Sequence, residues 1–445
     1  MDKTIRKYLG KRADLASRPL VAGATSGVAQ VVVIPALAEK DCLFDTLEHL
    51  AANPVSELRR TLVVCVVNNR AEPLASAGQI ADNRETLALL DEVMRGPGGL
   101  RIGYVDAASP GCELPEKGGV GLARKIGLDW GLSVLAETKA APRLLFSLDA
   151  DTRVEPNYLG AVRRHFAMPD SWAAVVSYAH RLDEAPDEIA AIVCYELSLR
   201  YHVLGLHYAR SPYAFPSIGS TMVCRAEAYA AVSGMNQRQA GEDFYFMQKL
   251  AKTGRVDQVF TTTVHPSARA SSRVPFGTGQ RVGRHLEGVQ DEYRLYDPRC
   301  YDVLEDWLSI VADHIGCGTD GLLERAGKVA PPLRTFLEQA QFPRVWPRLE
   351  ENSRNTEQLL AQFHRWFDGF RTIKLIHYLR DNGFPLRGMF PAIAALLDRV
   401  RAPAPVSDPL DLHDDLEAQQ VLLEHLRKLA SRTGATVTVE RAKGE

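Results

Sequence analysis

The run Thr61-Leu-Val-Val-Cys-Val-Val67 constrains the fold more than any other stretch of this chain. After its first residue it is continuously apolar and mostly β-branched, so as a strand it has no face to offer to water. Runs of this kind belong to parallel strands covered by helices on both sides. Parallel neighbours need crossover connections, and the sequence supplies them. Val31–Ile34, Leu100–Val105 and Leu144–Leu148 read as further strands, and each is followed by a turn and then a segment with helical spacing. Leu43, Leu47 and Leu50 mark one helix face; Leu122, Ile126 and Trp130 mark the buried face of another, which opens with the glycine-rich Gly118–Gly121. Pro35 is expected to end the first strand, and Asn68 and Asn69 the second. Ala173–Ser177, Met222–Cys224 and Val256–Phe260 continue the sheet, and Asp187–Tyr208 predicts a long helix. The expected class is α/β.

A chain of 445 residues exceeds what one hydrophobic core usually holds. Past Gln280 the strand signal fades, and from Tyr301 to about Arg401 the spacing is helical, with Trp307, Trp346, Trp366 and Phe367 among its aromatic positions. The expected divisions are an N-terminal helical extension (1–28), an α/β domain (29–280), a helical domain (281–401), and a linker, terminal helix and polar tail (402–445). The boundary is expected in or near the Pro275–Gly283 loop. Ala402–Pro409 reads as the linker and Leu410–Ala430 as the last helix.

Lys and Arg number 53 against 55 Asp and Glu, a net charge of -2, so no global field draws the chain to nucleic acid. Seven scattered cysteines without a CxxC pair argue against a disulfide framework or a structural zinc site and point to a reducing, cytoplasmic setting. Met1–Arg18 mixes basic and apolar residues without the core of a secretory signal. The apolar stretches Val28–Ala38 and Met389–Leu397 fall short of the ~20 residues that span a bilayer, so no transmembrane segment is expected. Peripheral membrane contact and a homodimer are left open.

The chemistry gathers at strand ends. Leu144-Leu-Phe-Ser-Leu-Asp-Ala-Asp-Thr152 delivers two carboxylates, Asp149 and Asp151, which in extended chain face one side and can share a hard cation. The bland alternative is a strand terminus capping the next helix. Gly241-Glu-Asp-Phe244 opens a helix; Asp243 there can accept a proton from a hydroxyl, with Glu242 orienting it or the acceptor, and simple dipole capping is the plainer account. In Val264–Gly279, His265 is a candidate third metal ligand, Arg269 and Arg273 can neutralise a departing diphosphate, and Pro275–Gly279 can serve as a lid or a linker.

Taken in order, Val31-Val-Val-Ile-Pro-Ala-Leu-Ala-Glu39, Gly118–Lys125, Asp149-Ala-Asp151, Gly219-Ser-Thr221 and Gly241-Glu-Asp-Phe244 resemble the motif series of family 2 glycosyltransferases over roughly residues 30–265. The resemblance implies the GT-A fold of nucleotide-diphospho-sugar transferases, a mostly parallel sheet flanked by helices. It also implies Mn²⁺ or Mg²⁺ and a UDP- or GDP-sugar donor whose sugar passes to an acceptor hydroxyl with inversion. By the same resemblance Pro35, Ala36 and Glu39 border base and ribose, Arg124 reaches toward the nucleotide or diphosphate, Asp151 is the chief metal ligand with Asp149 nearer the ribose, Gly219 and Ser220 line the acceptor side, and Asp243 is the base. The second strand ends in Asn68 and Asn69 where many members have paired aspartates, leaving Asn68 an amide's donor and acceptor groups at the nucleotide. Position 38 is alanine where asparagine is typical. Two other functions are weighed. A sugar-phosphate nucleotidyltransferase lacks its glycine-rich loop here, since Pro35–Lys40 has no glycine, and a non-catalytic binding protein sits poorly with Asp149, Asp151 and Asp243 all present.

Overall fold

A computed structural model describes residues 2–96, 99–168, 170–238, 241–270, 277–288, 291–406 and 412–442, with side chains to residue 432. It divides into two compact units, Met1–Ala185 with Ser217–Gly283, and Pro186–Pro216 with Arg284–Glu445.

The first unit is built on a sheet of nine strands among the described residues: β1 (Leu20–Ala22), β2 (Gln30–Ala36), β3 (Thr61–Asn68), β4 (Arg101–Ala107), β5 (Leu144–Ser147), β6 (Thr152–Val154), β7 (Ser171–Tyr178), β8 (Met222–Arg225) and β9 (Arg255–Pro266). Their order is β1-β4-β3-β2-β5-β8-β7-β9-β6. The run β4-β3-β2-β5 is parallel, as the apolar composition of β2 and β3 demands, and both strands are buried along their whole length. β8 joins antiparallel to β5 and β7, β9 is parallel to β7, and β1 and β6 close the two edges antiparallel, so the sheet is mixed.

Flanking helices are α1 (Lys3–Arg12), α2 (Lys40–Ala51), α3 (Val55–Leu58), α4 (Ala77–Arg95), α5 (Val120–Ala136), α6 (Tyr158–His165), α8 (Ala226–Ala231) and α9 (Glu242–Ala251). α2 buries Leu43, Leu47 and Leu50, as its spacing predicts. α5 differs from expectation. Leu122, Ile126 and Trp130 are only half-buried, and the deep face is Gly127, Leu128, Gly131 and Leu132. A Cβ on Gly127 would strike Val33 and Val66, and one on Gly131 would strike Leu145 and Val31. Two glycines one turn apart let the helix backbone lie directly on the sheet. A second correction concerns Pro35, which does not end β2. The ladder to β5 stops at Val33–Ser147, while that to β3 runs on to Ala36–Val67. Pro35 lies where no donor toward β5 is needed.

The second unit is helical: α7 (Pro186–Tyr208), α11 (Arg299–Asp313), α12 (Gly318–Val329), α13 (Pro331–Gln339), α14 (Phe342–Glu351), α15 (Thr356–Trp366), α16 (Gly369–Asp381), α17 (Met389–Arg399) and α18 (Leu416–Ala442), with a two-stranded ladder of β10 (Arg294–Leu295) and β11 (Arg387–Gly388). α10 (Thr278–Leu286) carries the chain across the boundary. Trp307, Trp346 and Phe367 are core residues here, in a ring cluster with Phe342 and Phe363.

The expected divisions therefore shift. Residues 1–28 are not a separate extension: β1 pairs with β4, and α1 packs on α5 and α8. The helical unit draws in α7 from the middle of the α/β sequence, because Val193, Leu197, Tyr201 and Leu204 find their apolar partners there. The expected terminal helix is α18, which packs on α7 and whose backbone stays helical to Ala442, past the expected end at Ala430. Of the expected linker, residues 407–409 lie outside the described residues. Among the described residues α7 alone is long and apolar enough to cross a membrane, by length and composition, and 61% of its apolar window is buried inside the protein.

Candidate active site

The parallel strands β2, β3 and β5 end at Ala36, Asn68 and Ser147, and the acidic residues collect just beyond those ends, where open α/β sheets bind ligands. Leu148 still bonds to β2 through Val33, and the chain then turns, with the Thr152 amide donating to the Asp149 carbonyl at 3.2 Å. The Thr46 hydroxyl of α2 donates to the Ala150 carbonyl at 2.8 Å and pins that turn. Because residues 149–151 turn rather than extend, the two carboxylates take separate partners. Asp149 pairs with Arg124 and Asp151 with Arg269.

Arg124 is the hub of the first group. Its side chain is 5% exposed and bridges Asp149 to Glu242, whose side chain is 4% exposed. Gly219 makes room for it: a Cβ there would overlap the guanidinium. The next residue, Ser220, is fully buried, and its hydroxyl has no hydrogen-bond partner among the described residues. Glu242 thus anchors Arg124 rather than its neighbour. Its position is set by Gly241, left-handed at φ 69°, by the Asn236 amide on the Glu242 carbonyl at 2.8 Å, and by Gly121, whose missing Cβ lets α5 approach this helix start.

Asp243 is half-buried and accepts the Phe244 amide at 2.7 Å. Burial pushes its carboxyl above the ordinary value and the charge of Asp149 adds to that, while Arg124 and the Phe244 amide pull it down. The DxD turn, the Gly118–Lys125 helix and the Glu242–Asp243 helix start therefore act on one another through space.

Arg269, just past β9, is the hub of the second group. It pairs with Glu39 and, at 3.1 Å, with Asp151. Burial alone would lower its pKa, but Glu39 and Asp151 hold it above the usual guanidinium value. Glu39 stands at the N-cap of α2 without capping it, its carboxylate turned to Arg269. Pro35 and Ala36 are buried at the end of β2. Asn68 donates to the carbonyls of Ala36 and Val66, both at 3.0 Å, so its amide nitrogen ties strand ends together and leaves its oxygen for other partners.

His265 goes elsewhere. It lies in β9 opposite Arg153 of β6, its ring 3.6 Å from Glu155, and lines a cavity of about 460 Å³ with His49, Arg153, Arg181 and Asp183. Among the described residues no group of three or more His, Cys, Asp or Glu side chains is arranged to hold a metal, so His265 does not complete a three-ligand set with Asp149 and Asp151. Arg273 and Pro275–Phe276 lie outside the described residues. The two carboxylates remaining are hard oxygen donors. That set fits Mg²⁺ or Mn²⁺ taken up with phosphate oxygens and water, not a cation caged by protein alone.

Three residues here carry no sequence signal. Asn83 of α4 accepts the Ala38 amide at 2.9 Å and donates to the Asn68 carbonyl and Asn69 side chain, binding the ends of β2 and β3. Thr46 and Asn236 are likewise ordinary polar residues in sequence and positional ones in space.

No curated protein matches this chain. Solved structures similar to it include residues 1–349 of S. aureus TarS in complex with UDP-GlcNAc, with a TM-score of 0.38, 12% identity and 92% of each chain covered. The mannosyltransferase PcManGT from Pyrobaculum calidifontis, in complex with GDP-Man and Mn²⁺, follows at TM-score 0.35 and 15% identity, covering 97% of this chain and 91% of that one. The model of the family described as glycosyl transferase family group 2 matches residues 144–397, which hold the DxD turn, Gly219–Thr221 and Glu242–Asp243 and make up more than half of the chain. The chain belongs to the family 2 glycosyltransferases.

Proposed function

We propose that the protein is a metal-dependent, inverting transferase that moves a sugar from a UDP- or GDP-sugar to an acceptor hydroxyl. The carrying observation is that buried Arg124 bridges Asp149 to Glu242, the residue next to Asp243, so donor-side and acceptor-side groups share one place. In this account Asp243 takes the proton of the acceptor hydroxyl, the acceptor oxygen bonds to the anomeric carbon from the opposite face, and the bond to the diphosphate breaks with its electron pair leaving on the nucleotide. Asp151 and Asp149 would hold Mn²⁺ or Mg²⁺, which when bound supplies positive charge against the diphosphate. Arg269 and Arg124 add fixed positive charge on the same side, with Arg273 a further candidate. Pro35, Ala36, Glu39 and the free face of Asn68 border the nucleoside. The buried hydroxyl of Ser220, beside Gly219, is offered to the acceptor. Seven free cysteines support a reducing, cytoplasmic setting.

The test pairs a thermal-shift screen of UDP, GDP and their sugars, with Mn²⁺, Mg²⁺ or EDTA, with the Asp243→Asn variant. A metal-dependent shift with one nucleotide is expected. Asp243→Asn should keep that shift and lose transfer by about 10²-fold or more; wild-type turnover would remove the base. Stability separates the roles further. A carboxyl raised on folding contributes stability below its unfolded pKa and loses it as pH rises through the folded one. Near neutrality ionised Asp243 is therefore a cost, so Asp243→Asn should melt higher than wild type at pH 7, with the gain vanishing on acidification. Transfer by the wild type should fall on the acid side at a pH above the ordinary carboxylate range of ~4.

A further inference from the structure

Helix α1 supplies none of the groups assigned to the donor, yet its buried tyrosine is wedged between the two segments that carry them. Tyr8 is 4% exposed, and its hydroxyl donates to Asp129 Oδ1 at 2.7 Å. The Tyr229 hydroxyl of α8 donates to the same oxygen at 2.7 Å. Lys125 pairs with the other oxygen of Asp129 and donates to the Arg12 carbonyl at 3.1 Å and the Tyr8 hydroxyl at 3.3 Å. Burial, and then the charge of Asp129, raise both phenols far above their ordinary values, so they stay proton donors.

Asp129 and Lys125 belong to α5, and Lys125 directly follows Arg124. On its other side Tyr8 abuts Gly234, left-handed at φ 73°, where a Cβ would overlap the Tyr8 hydroxyl. Gly234 opens the segment that leads through Asn236 to Glu242. Tyr8 thus fixes the spacing between the helix that carries Arg124 and the segment that delivers the carboxylate bonded to it.

We propose that Tyr8 is a positioning residue for the Arg124–Glu242 pair, which makes α1 a working part of the nucleotide site. The proposal rests on the assignment of Arg124 to donor binding above.

The test is calorimetric titration of UDP and GDP, with Mn²⁺, into the full chain as wild type, Tyr8→Phe, Glu242→Gln and the double variant, with thermal melts of each. Tyr8→Phe keeps the ring and its edge contact with Tyr229 and removes one hydroxyl. We expect it to weaken the nucleotide that the wild type binds by about threefold to tenfold, and to add nothing further in the Glu242→Gln background. An unchanged affinity, or full additivity in the double variant, overturns the proposal even if the melting point falls, because a merely structural role moves only the melt. Should Tyr8→Phe not fold, Gly234→Ala presses on the same hydroxyl from the other side, and wild-type affinity there overturns it too. A wild type that binds neither nucleotide removes the donor-site assignment itself, an outcome distinct from equal binding by wild type and variant.

Discussion

Arg124 and Arg269 each bridge two carboxylates of the site, but they do so in different surroundings. The Arg124 side chain is 5% exposed, borne on a helix whose glycines press it to the sheet and backed by Gly219. The Arg269 side chain is 29% exposed and stands on the segment that follows β9. An ion pair out of water is costly to break, because the partner left behind stays charged and unsolvated. One within reach of water exchanges its partners at little cost. We therefore expect the first arginine to act as framework while it faces the donor, and the second to exchange its partners for a ligand, although in a bare sequence the two are equivalent.

The strongest way to break this contrast is Arg124→Ala. It leaves Glu242 buried without its cation, and a loss of about 3–5 kcal/mol is expected from chemical denaturation, together with loss of nucleotide binding. A variant that unfolds at the wild-type midpoint would show that Arg124 is not framework.

Arg269→Ala should act on ligands instead. Stability is expected to change by no more than about 1 kcal/mol, while the bound nucleoside diphosphate loses a charge-assisted contact and weakens by about tenfold, a difference of about 1.4 kcal/mol. Mn²⁺ titrated without nucleotide should bind this variant more tightly than wild type, since Glu39 and Asp151 no longer share an internal cation. Calorimetry reads both effects. Equal Mn²⁺ affinity in the two proteins would mean that Arg269 does not compete at Asp151.

These differences also mark how far the sequence could be read. Strands β2, β3 and β5 were legible because burial on both faces leaves an almost uninterrupted apolar run, and β4, which alternates between buried and half-buried residues, was legible from its β-forming composition. β1 and β6, of three residues each, were not, since an edge strand this short has no periodicity to detect. The packing face of α5 was misjudged because the rule seeks large apolar residues, and here close contact is made by Gly127 and Gly131. Asp149, Asp151 and Asp243 stood out as acidic residues at element ends. Their pairing with Arg124 and Arg269 did not, because it joins positions 25 and 118 residues apart. Nor was it legible that Asp149 and Asp151 take different arginines across the turn that Thr46 stabilises from α2.

The smallest expected effect lies at the rim of the second group. Ala38 adopts φ 52°, a left-handed backbone that costs a residue with a Cβ roughly 1–2 kcal/mol. The position is one where the family resemblance calls for asparagine, the residue that best tolerates this conformation after glycine. Here the Ala38 amide is held instead by Asn83, whose own amide ties in Asn68 and Asn69. Ala38→Gly removes the strain but gives the unfolded chain more freedom, worth about 0.4–1 kcal/mol against folding. The balance is a gain between nil and about 1.6 kcal/mol, measurable as a small rise in the denaturation midpoint. Since the Asn83 bond is made to the backbone, the change should leave nucleotide affinity where it is. If Ala38→Gly instead weakens the nucleotide as much as Arg269→Ala does, the left-handed turn itself, and not the charge beside it, shapes this side of the site.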